Sequence, residues 1–309
     1  MRIKKEDFPA WIPLMRTRRA RRPFSGRDWL FERLFEGIRC VGLKNGRQVR
    51  LLSPDRRELS GFFPEVASAL GDQGVADCVV DGTLVAFEQG LSSRAPLRRR
   101  MAGRHPGAKP CYYLFDLLYI NGYRITGLDL EARKQMLDEF LAARACLRRT
   151  PFRRQCGEEY FRSAFRLGWS GVMAKKVHGT YRPGRTGDWV EISCLSSGMF
   201  AVGGYMTAPD APAGASGAPG SSAHGLLLGR SDGEALRFAG EVRVGVRDVG
   251  PGGVTGALRG LEQEACPFEE RPRVPGARWV KPELGAAVDF AGWENGRVRF
   301  PRFRELVSR

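Results

Sequence analysis

The chain has 309 residues, a formal net charge of +16 from 50 Lys and Arg against 34 Asp and Glu, and a sequence pI near 10.1. That length suggests two domains, and that charge is the electrostatic footprint of a protein that binds a polyanion. Seven scattered cysteines without a Cys-x-x-Cys pair indicate neither a zinc site nor a disulfide framework, and His105, His178 and His224 are too few and dispersed for a metal cluster. No stretch of 18 apolar residues occurs and the N-terminal run lacks an apolar core, which argues against membrane insertion and secretion.

In chain order, Arg16-Thr17-Arg18-Arg19-Ala20-Arg21-Arg22 puts five arginines in seven residues, and residues 1–22 are expected to form a basic segment ahead of the fold. Residues 38–52 read as strand, Asn45-Gly46 turn, strand, a strong hairpin signal. Residues 63–70 read as a short helix, and 77–87 and 111–120 as strand-like apolar runs with Cys40, Cys78 and Cys111 as core residues. Residues 130–143 predict an amphipathic helix with Asp129 as N-cap, and 157–167 a further helix. Residues 171–177 and 189–192 return to strand. The mixture is α+β over 23–195. After Ser196-Ser197-Gly198 short strands predominate over 198–309, as in a barrel. Within that part, residues 208–222 are an Ala/Pro/Gly/Ser segment, expected to be a flexible loop.

Glu32-Arg33-Leu34-Phe35-Glu36-Gly37-Ile38-Arg39 fits the frame Glu-x-Lys-x-Asp-Gly-x-Arg of the covalent ATP-dependent DNA ligases. Further stretches resemble the same family in order: Arg50 to Ser53 with Phe63-Pro64-Glu65, Val80-Asp81-Gly82-Thr83-Leu84-Val85, Tyr113-Leu114-Phe115-Asp116-Leu117, Gly171-Val172-Met173-Ala174-Lys175-Lys176, and Tyr181-Arg182-Pro183-Gly184-Arg185 before Asp188-Trp189. Downstream, Phe200 to Tyr205, Gly225 to Gly229 and Trp279 to Leu284 continue the match. The chain thus resembles the ligase domain of bacterial ligase D. The resemblance implies a nucleotidyltransferase domain followed by an OB-fold barrel. It also implies that Glu32, Arg39, Phe115, Val172 and Lys175 line a nucleotide pocket, with Phe115 stacked on adenine and Val172 or Met173 over the other face. Arg39, Arg182 and Arg185 then match positions near phosphate or DNA.

The departures from the family pattern gather where the chemistry would occur. Leu34 stands at the lysine that attacks the α-phosphate of ATP, and a hydrocarbon cannot be a nucleophile. Glu36 replaces the motif aspartate, Thr83 and Ser170 occupy two metal-ligand positions, and Glu191 and Ser193 replace two lysines that grip the triphosphate. Pro54 stands for an arginine, and Leu306-Val307-Ser308-Arg309 follows Phe303 where Arg-x-Asp-Lys is expected. A drift toward arginine, with 42 Arg and 8 Lys, would preserve positive charge at these positions; Leu, Glu and Ser do not. At 4 Å two like charges cost on the order of 4 kcal/mol at an effective dielectric near 20, so Glu191 would repel a triphosphate. Lys175 and Lys176 are the best-placed substitutes. The plainer expectation is that Lys175 contacts a phosphate, Lys176 faces solvent and Lys44 is the exposed flank of the Asn-Gly turn.

Arginine clusters at 16–22, at 94 with 98–104, and at 148–154 would each suit a solvated face, but together with the resemblance they point to DNA, with Arg18, Arg19, Arg21 and Arg22 as contacts. The expected protein is ligase-like, binds duplex DNA, nicks or ends, lacks catalytic residues, and helps in DNA repair, recombination or end joining. No cofactor is then required, and residual ATP or AMP binding stays open. The alternatives are an active ATP-dependent DNA ligase that uses other residues and Mg2+, and a nucleotide-sensing or protein-interaction scaffold. Other end-joining proteins are expected partners, a membrane is not, and the expected location is the cytoplasm, with the nucleoid.

Overall fold

Alternating apolar and polar residues run through much of the chain, and strands dominate the computed structural model, which describes residues 3–88, 90–103, 109–144, 146–207, 223–232, 235–244 and 253–308. Helices are few and short, so the α+β class fits only loosely. The backbone divides into two compact units, Met1–Cys194 and Leu195–Arg309. Arg104, His105 and the 208–222 segment lie outside the described residues.

The first unit contains β1 (Lys4–Lys5), β2 (Met15–Ala20), β3 (Gly26–Leu34), β4 (Ile38–Asn45), β5 (Gln48–Leu52), α1 (Pro64–Gly71), β6 (Asp77–Glu88), β7 (Leu91–Ser93), α2 (Ala95–Met101), β8 (Cys111–Ile120), β9 (Tyr123–Arg124), α3 (Leu130–Phe140), β10 (Leu147–Arg149), β11 (Phe152–Gln155), α4 (Gly157–Arg166), β12 (Gly171–Lys176) and β13 (Gly184–Ser193). One sheet has the order β1-β9-β8-β6-β4-β5, with β10 on β8 and β7 on β6; the other runs β11-β3-β12-β13-β2. The predicted hairpin is β4–β5, closed where Gly46 takes φ +59°, a conformation open to glycine. Asp129 caps α3 by accepting from the Ala132 N–H at 2.8 Å. That helix stops at Phe140 rather than 143, because Leu141 is already extended.

Three expectations need correction. The arginine run is part of the fold: β2 pairs in parallel with β13 at the sheet edge, and Ile12 and Met15 are buried. Arginines on an edge strand also discourage pairing with another chain. Lys44 is 3% exposed, not an exposed flank, and its Nζ donates to the Gly46 carbonyl. Arg98, Arg99 and Arg100 lie on α2, which the periodicity missed. There Arg99 pairs with Glu88, and Arg100 with Glu65 at 2.6 Å.

Helices cover the outer faces. α1, α2 and α3 lay Val66, Leu70, Leu97 and Leu137 against Cys40, Cys78 and Tyr112 of the first sheet. α4 lays Ala164 on Phe31, Val172, Ala174 and Ile192 of the second. The inner faces meet through Met15, Val41, Leu43 and Trp189, and polar side chains continue beside this contact.

The second unit comprises β14 (Ser196–Thr207), β15 (Ala223–Asp232), β16 (Ala235–Arg243), α5 (Val254–Arg259), β17 (Glu262–Gln263), β18 (Ala277–Val280), β19 (Leu284–Phe290), β20 (Trp293–Glu294), β21 (Arg297–Val298) and β22 (Arg302–Ser308). β14 pairs with β19 through its first half and with β18 through its second, so one long strand serves both and the sheet curls. Phe200, Leu226, Val242, Val280 and Val288 fill the curl with Leu258 of α5.

Candidate functional site

The ligase-like turn Phe35-Glu36-Gly37 carries the chain from β3 of one sheet to β4 of the other. Gly37 is required there: a Cβ would lie 2.2 Å from the Leu84 carbonyl oxygen and 2.5 Å from Thr83 Cγ2. Leu34 ends β3, half-buried, opposite Gly171 of β12. Strand alternation puts Leu30, Glu32 and Leu34, Met173 and Lys175, and Trp189, Glu191 and Ser193 on one face. That face meets Arg39, Asp81 and Phe115 of the first sheet.

Three carboxylates in this cleft are neutralised from within. Glu32 is buried with Lys134 Nζ 2.5 Å from Oε1 and Lys175 Nζ 2.7 Å from Oε2; both are close ion pairs rather than aligned hydrogen bonds. Asp81 accepts from Arg39 Nε at 3.1 Å and Nη2 at 2.6 Å, and from the Tyr181 hydroxyl at 2.7 Å. Asp116 accepts from Arg133 Nε at 2.7 Å and Nη2 at 3.0 Å, and neither side chain reaches solvent. Asp81 and Asp116 are direct partners across β6 and β8, so without these arginines two buried anions would repel.

Lys175 is enclosed. It is 1% exposed, and its ammonium lies 4.0 Å from the Phe115 ring centroid and 4.2 Å from that of Trp189. An ammonium has three donors and this one faces a single carboxylate, so the two π faces complete its shell. Burial pushes its pKa down to about 8; Glu32 opposes that fall and Lys134 adds to it. For Arg39, burial works against the charge, but Asp81 outweighs it and holds the guanidinium above its usual pKa. Burial, then Asp81, raise the Tyr181 hydroxyl well above the usual tyrosine value.

Of the predicted pocket residues, Glu32, Arg39, Phe115 and Lys175 come together. Val172 does not: alternation turns it to the opposite face, into the core under α4, so only Met173 shares the face of Lys175. Lys175 touches Glu32 and the two rings. Arg39 makes its contacts within the fold, to Asp81, Tyr181 and the Met15 carbonyl. Lys176 points the other way, toward Trp29 and Asp188, beside a separate cavity of about 490 Å³.

The other motif positions have partners of their own. Glu36 pairs with Arg94 at 3.4 Å, and Glu191 with Arg19 of β2 at 3.6 Å. Thr83 faces Arg39 across the strand pair, and Ser170 is buried, its carbonyl accepting from the Cys194 N–H. Arg182 pairs with Asp188 while remaining exposed, as are Arg18, Arg21, Arg22 and Arg185. Among the described residues no group of three or more His, Cys, Asp or Glu could hold a metal ion. Sequence reasoning passed over Arg133, Lys134 and Trp189. A signal existed, since Arg133 and Lys134 share the core stripe of α3 with Leu130 and Leu137, and buried cations require buried carboxylates.

Sheet order, turn and cleft together define a ligase-type core. The family described as ATP dependent DNA ligase domain matches residues 15–192, and ATP dependent DNA ligase C terminal region matches 220–308; the chain belongs to the ATP-dependent DNA ligase family. Within it, the chain resembles the ligase domain of LigD proteins. It is 27% identical to the multifunctional non-homologous end joining protein LigD of Mycobacterium bovis, over 97% of this chain and 39% of that protein. It is 28% identical to LigD of Pseudomonas aeruginosa, over 95% of this chain and 35% of that one. The chain therefore spans well under half the length of these relatives. A solved structure of mycobacterial DNA ligase D complexed with ATP and MES superposes with a TM-score of 0.61 at 25% identity, covering 96% of this chain and 95% of the other.

Proposed function

We propose that this chain is a ligase-type protein that binds duplex DNA at nicks or ends without transferring a nucleotide, and that it serves an accessory role in end-joining repair. The observation that carries the reading is the cleft itself: Leu34 stands at the nucleophile position, and the lysine that shares its face, Lys175, is locked between Glu32, Phe115 and Trp189. On this reading the first unit is a nucleotidyltransferase-type domain and the second an OB-type barrel, both kept for binding. The role in end joining is carried over from the relatives named LigD, and a cytoplasmic, nucleoid-associated location follows from it.

ATP and Mg2+, which the family implies, do not fit the residues present. An adenine on Phe115 would compete with the Lys175 ammonium already over that ring. A triphosphate would meet Glu191, and the cleft carboxylates that could hold a metal are engaged by arginine and lysine. No cofactor is required on this reading.

One observation favours an active enzyme: a lysine with a pKa near 8 on the face of Leu34 has nucleophile character. Its position argues the other way. In register Lys175 lies opposite Leu30, four residues along β3 from Leu34, or roughly 13 Å. Labelled ATP with Mg2+ or Mn2+ is expected to leave no acid-stable label on the protein, and nicked duplex is expected to shift without ATP. A label mapped to Lys175 would establish the active reading. Absence of salt-sensitive binding to nicked, blunt or intact duplex would remove the DNA reading and leave a scaffold.

A further inference from the structure

The hairpin β20–β21 of the second unit closes through Asn295 and Gly296, both at positive φ (49° and 75°), the two-residue turn that matches strand twist. It holds Trp293 outward. The indole is 43% exposed, while Phe200 and Phe290 fix it from behind at centroid distances of 5.8 and 5.4 Å. One arginine lies against the ring. The exposed Arg230 guanidinium lies 5.4 Å from the Trp293 centroid, whereas Arg297, 5.1 Å from the Phe238 centroid, and Arg299, 5.2 Å from that of Phe300, alternate to the other face of the ribbon. On that other face Glu294 pairs with Arg299 at 3.6 Å. Phe300 is itself held at φ 49°, a region that bulky side chains rarely adopt.

A single exposed aromatic is ordinary on a protein surface. An indole fixed by two buried rings, with the exposed Arg230 beside it, is a more specific arrangement. It offers an indole face for a base to stack on and one surface cation for a flanking phosphate, with no array to read base edges. An intact duplex presents no free base face, so the chemistry suits an unpaired strand. We propose that this hairpin is a stacking site for single-stranded DNA, such as an overhang or frayed end, separate from the duplex-binding arginines of the first unit.

The test is binding of the full chain to a labelled oligothymidylate of about ten nucleotides, within the range that one such barrel engages. Trp293→Ala is expected to weaken binding roughly 5- to 150-fold, with Trp293→Phe in between. Arg230→Gln does not disturb the buried rings, and is expected to flatten the dependence of log K on log salt by about 0.7, whereas Arg297→Gln on the other face is expected to leave it unchanged. Thermal melting checks that each variant is folded. Affinity of the variants for nicked duplex is expected to stay at the wild-type value. The site is overturned if the wild type fails to bind the oligomer at low ionic strength, or if Trp293→Ala binds it as well as the wild type does. Equal losses on oligomer and duplex would also overturn it, as a general basic surface. A wild type that binds the oligomer but no duplex would count against the proposed function and leave the stacking site standing.

Discussion

Replacing Lys175 by Met keeps the length of the side chain and removes its charge, so it isolates the contribution of the caged ammonium. In the fold that ammonium loses its proton near pH 8, and in the unfolded chain near 10.5. Below about pH 8 both states hold the proton, and the whole cost of burying the charge is present, on the order of 3 kcal/mol. Between the two values the unfolded state binds more protons, so wild-type stability rises with pH. Relative to Lys175→Met, the wild type is expected to gain about 2 kcal/mol between about pH 7.5 and about pH 10. Denaturant unfolding of both proteins across that window gives the difference directly. The Cys78 and Cys194 thiols, pushed up to about 12 by burial, lower stability in the same window, but they do so in both proteins and cancel. A difference that stays flat with pH would mean that the ammonium is solvated. The cleft would then be open, and a nucleotide could enter it.

Leu34→Lys alone is expected to restore neither self-adenylation nor nick sealing, because positions 83, 170, 191 and 193 also lack the expected groups and residues acting as a unit are strongly non-additive; sealing by the single variant would contradict this. Arg133→Ala leaves Asp116 charged and buried with its two guanidinium bonds gone, and is expected to cost about 3–5 kcal/mol in denaturant unfolding. Replacing Arg16, Arg18, Arg19, Arg21 and Arg22 by Gln is expected to weaken duplex binding and reduce the salt slope by about 0.9 for each phosphate no longer neutralised, measured by titration at several salt concentrations. The same change at Arg99 and Arg100, already engaged by Glu88 and Glu65, is expected to leave the slope nearly unchanged.

Local signals in the sequence were sufficient for the β4–β5 hairpin and the start of α3, since an Asn-Gly turn and an Asp cap act through their own backbone. The α2 helix was hidden because its seven residues include three arginines, and only Pro96 and Leu97 are buried. The arginine run looked like a tail because its burial is carried by Ile12 and Met15, which precede it or open it, and because its pairing is with β13. Single-residue alternation decided the pocket. Val172 and Met173 are equally apolar, and only the register of β12 with β3 shows which one faces Lys175. The ion pairs were legible in part, through buried cations on α3, but their carboxylates come from strands far away in sequence, at Glu32 and Asp116.

The motif residues that remain in this chain divide from those that are absent along a physical line. Glu32 holds two lysines, Arg39 binds Asp81, and Asp116 binds Arg133, each within the fold. Gly37 and Gly171 sit where a Cβ would lie 2.2 and 2.3 Å from a backbone oxygen. Each of these residues is needed to close the cleft whether or not a nucleotide ever enters it. Positions 34, 83, 191 and 193 are different. Nothing in the packing of the cleft demands a lysine or an acid there, and Leu34, Thr83, Glu191 and Ser193 are accommodated, Glu191 with Arg19 as its partner. A family resemblance carried by Glu32, Gly37, Arg39, Asp116 and Gly171 therefore reports how the two sheets are joined. On the proposed reading, the question of phosphoryl chemistry rests with positions 34, 83, 191 and 193.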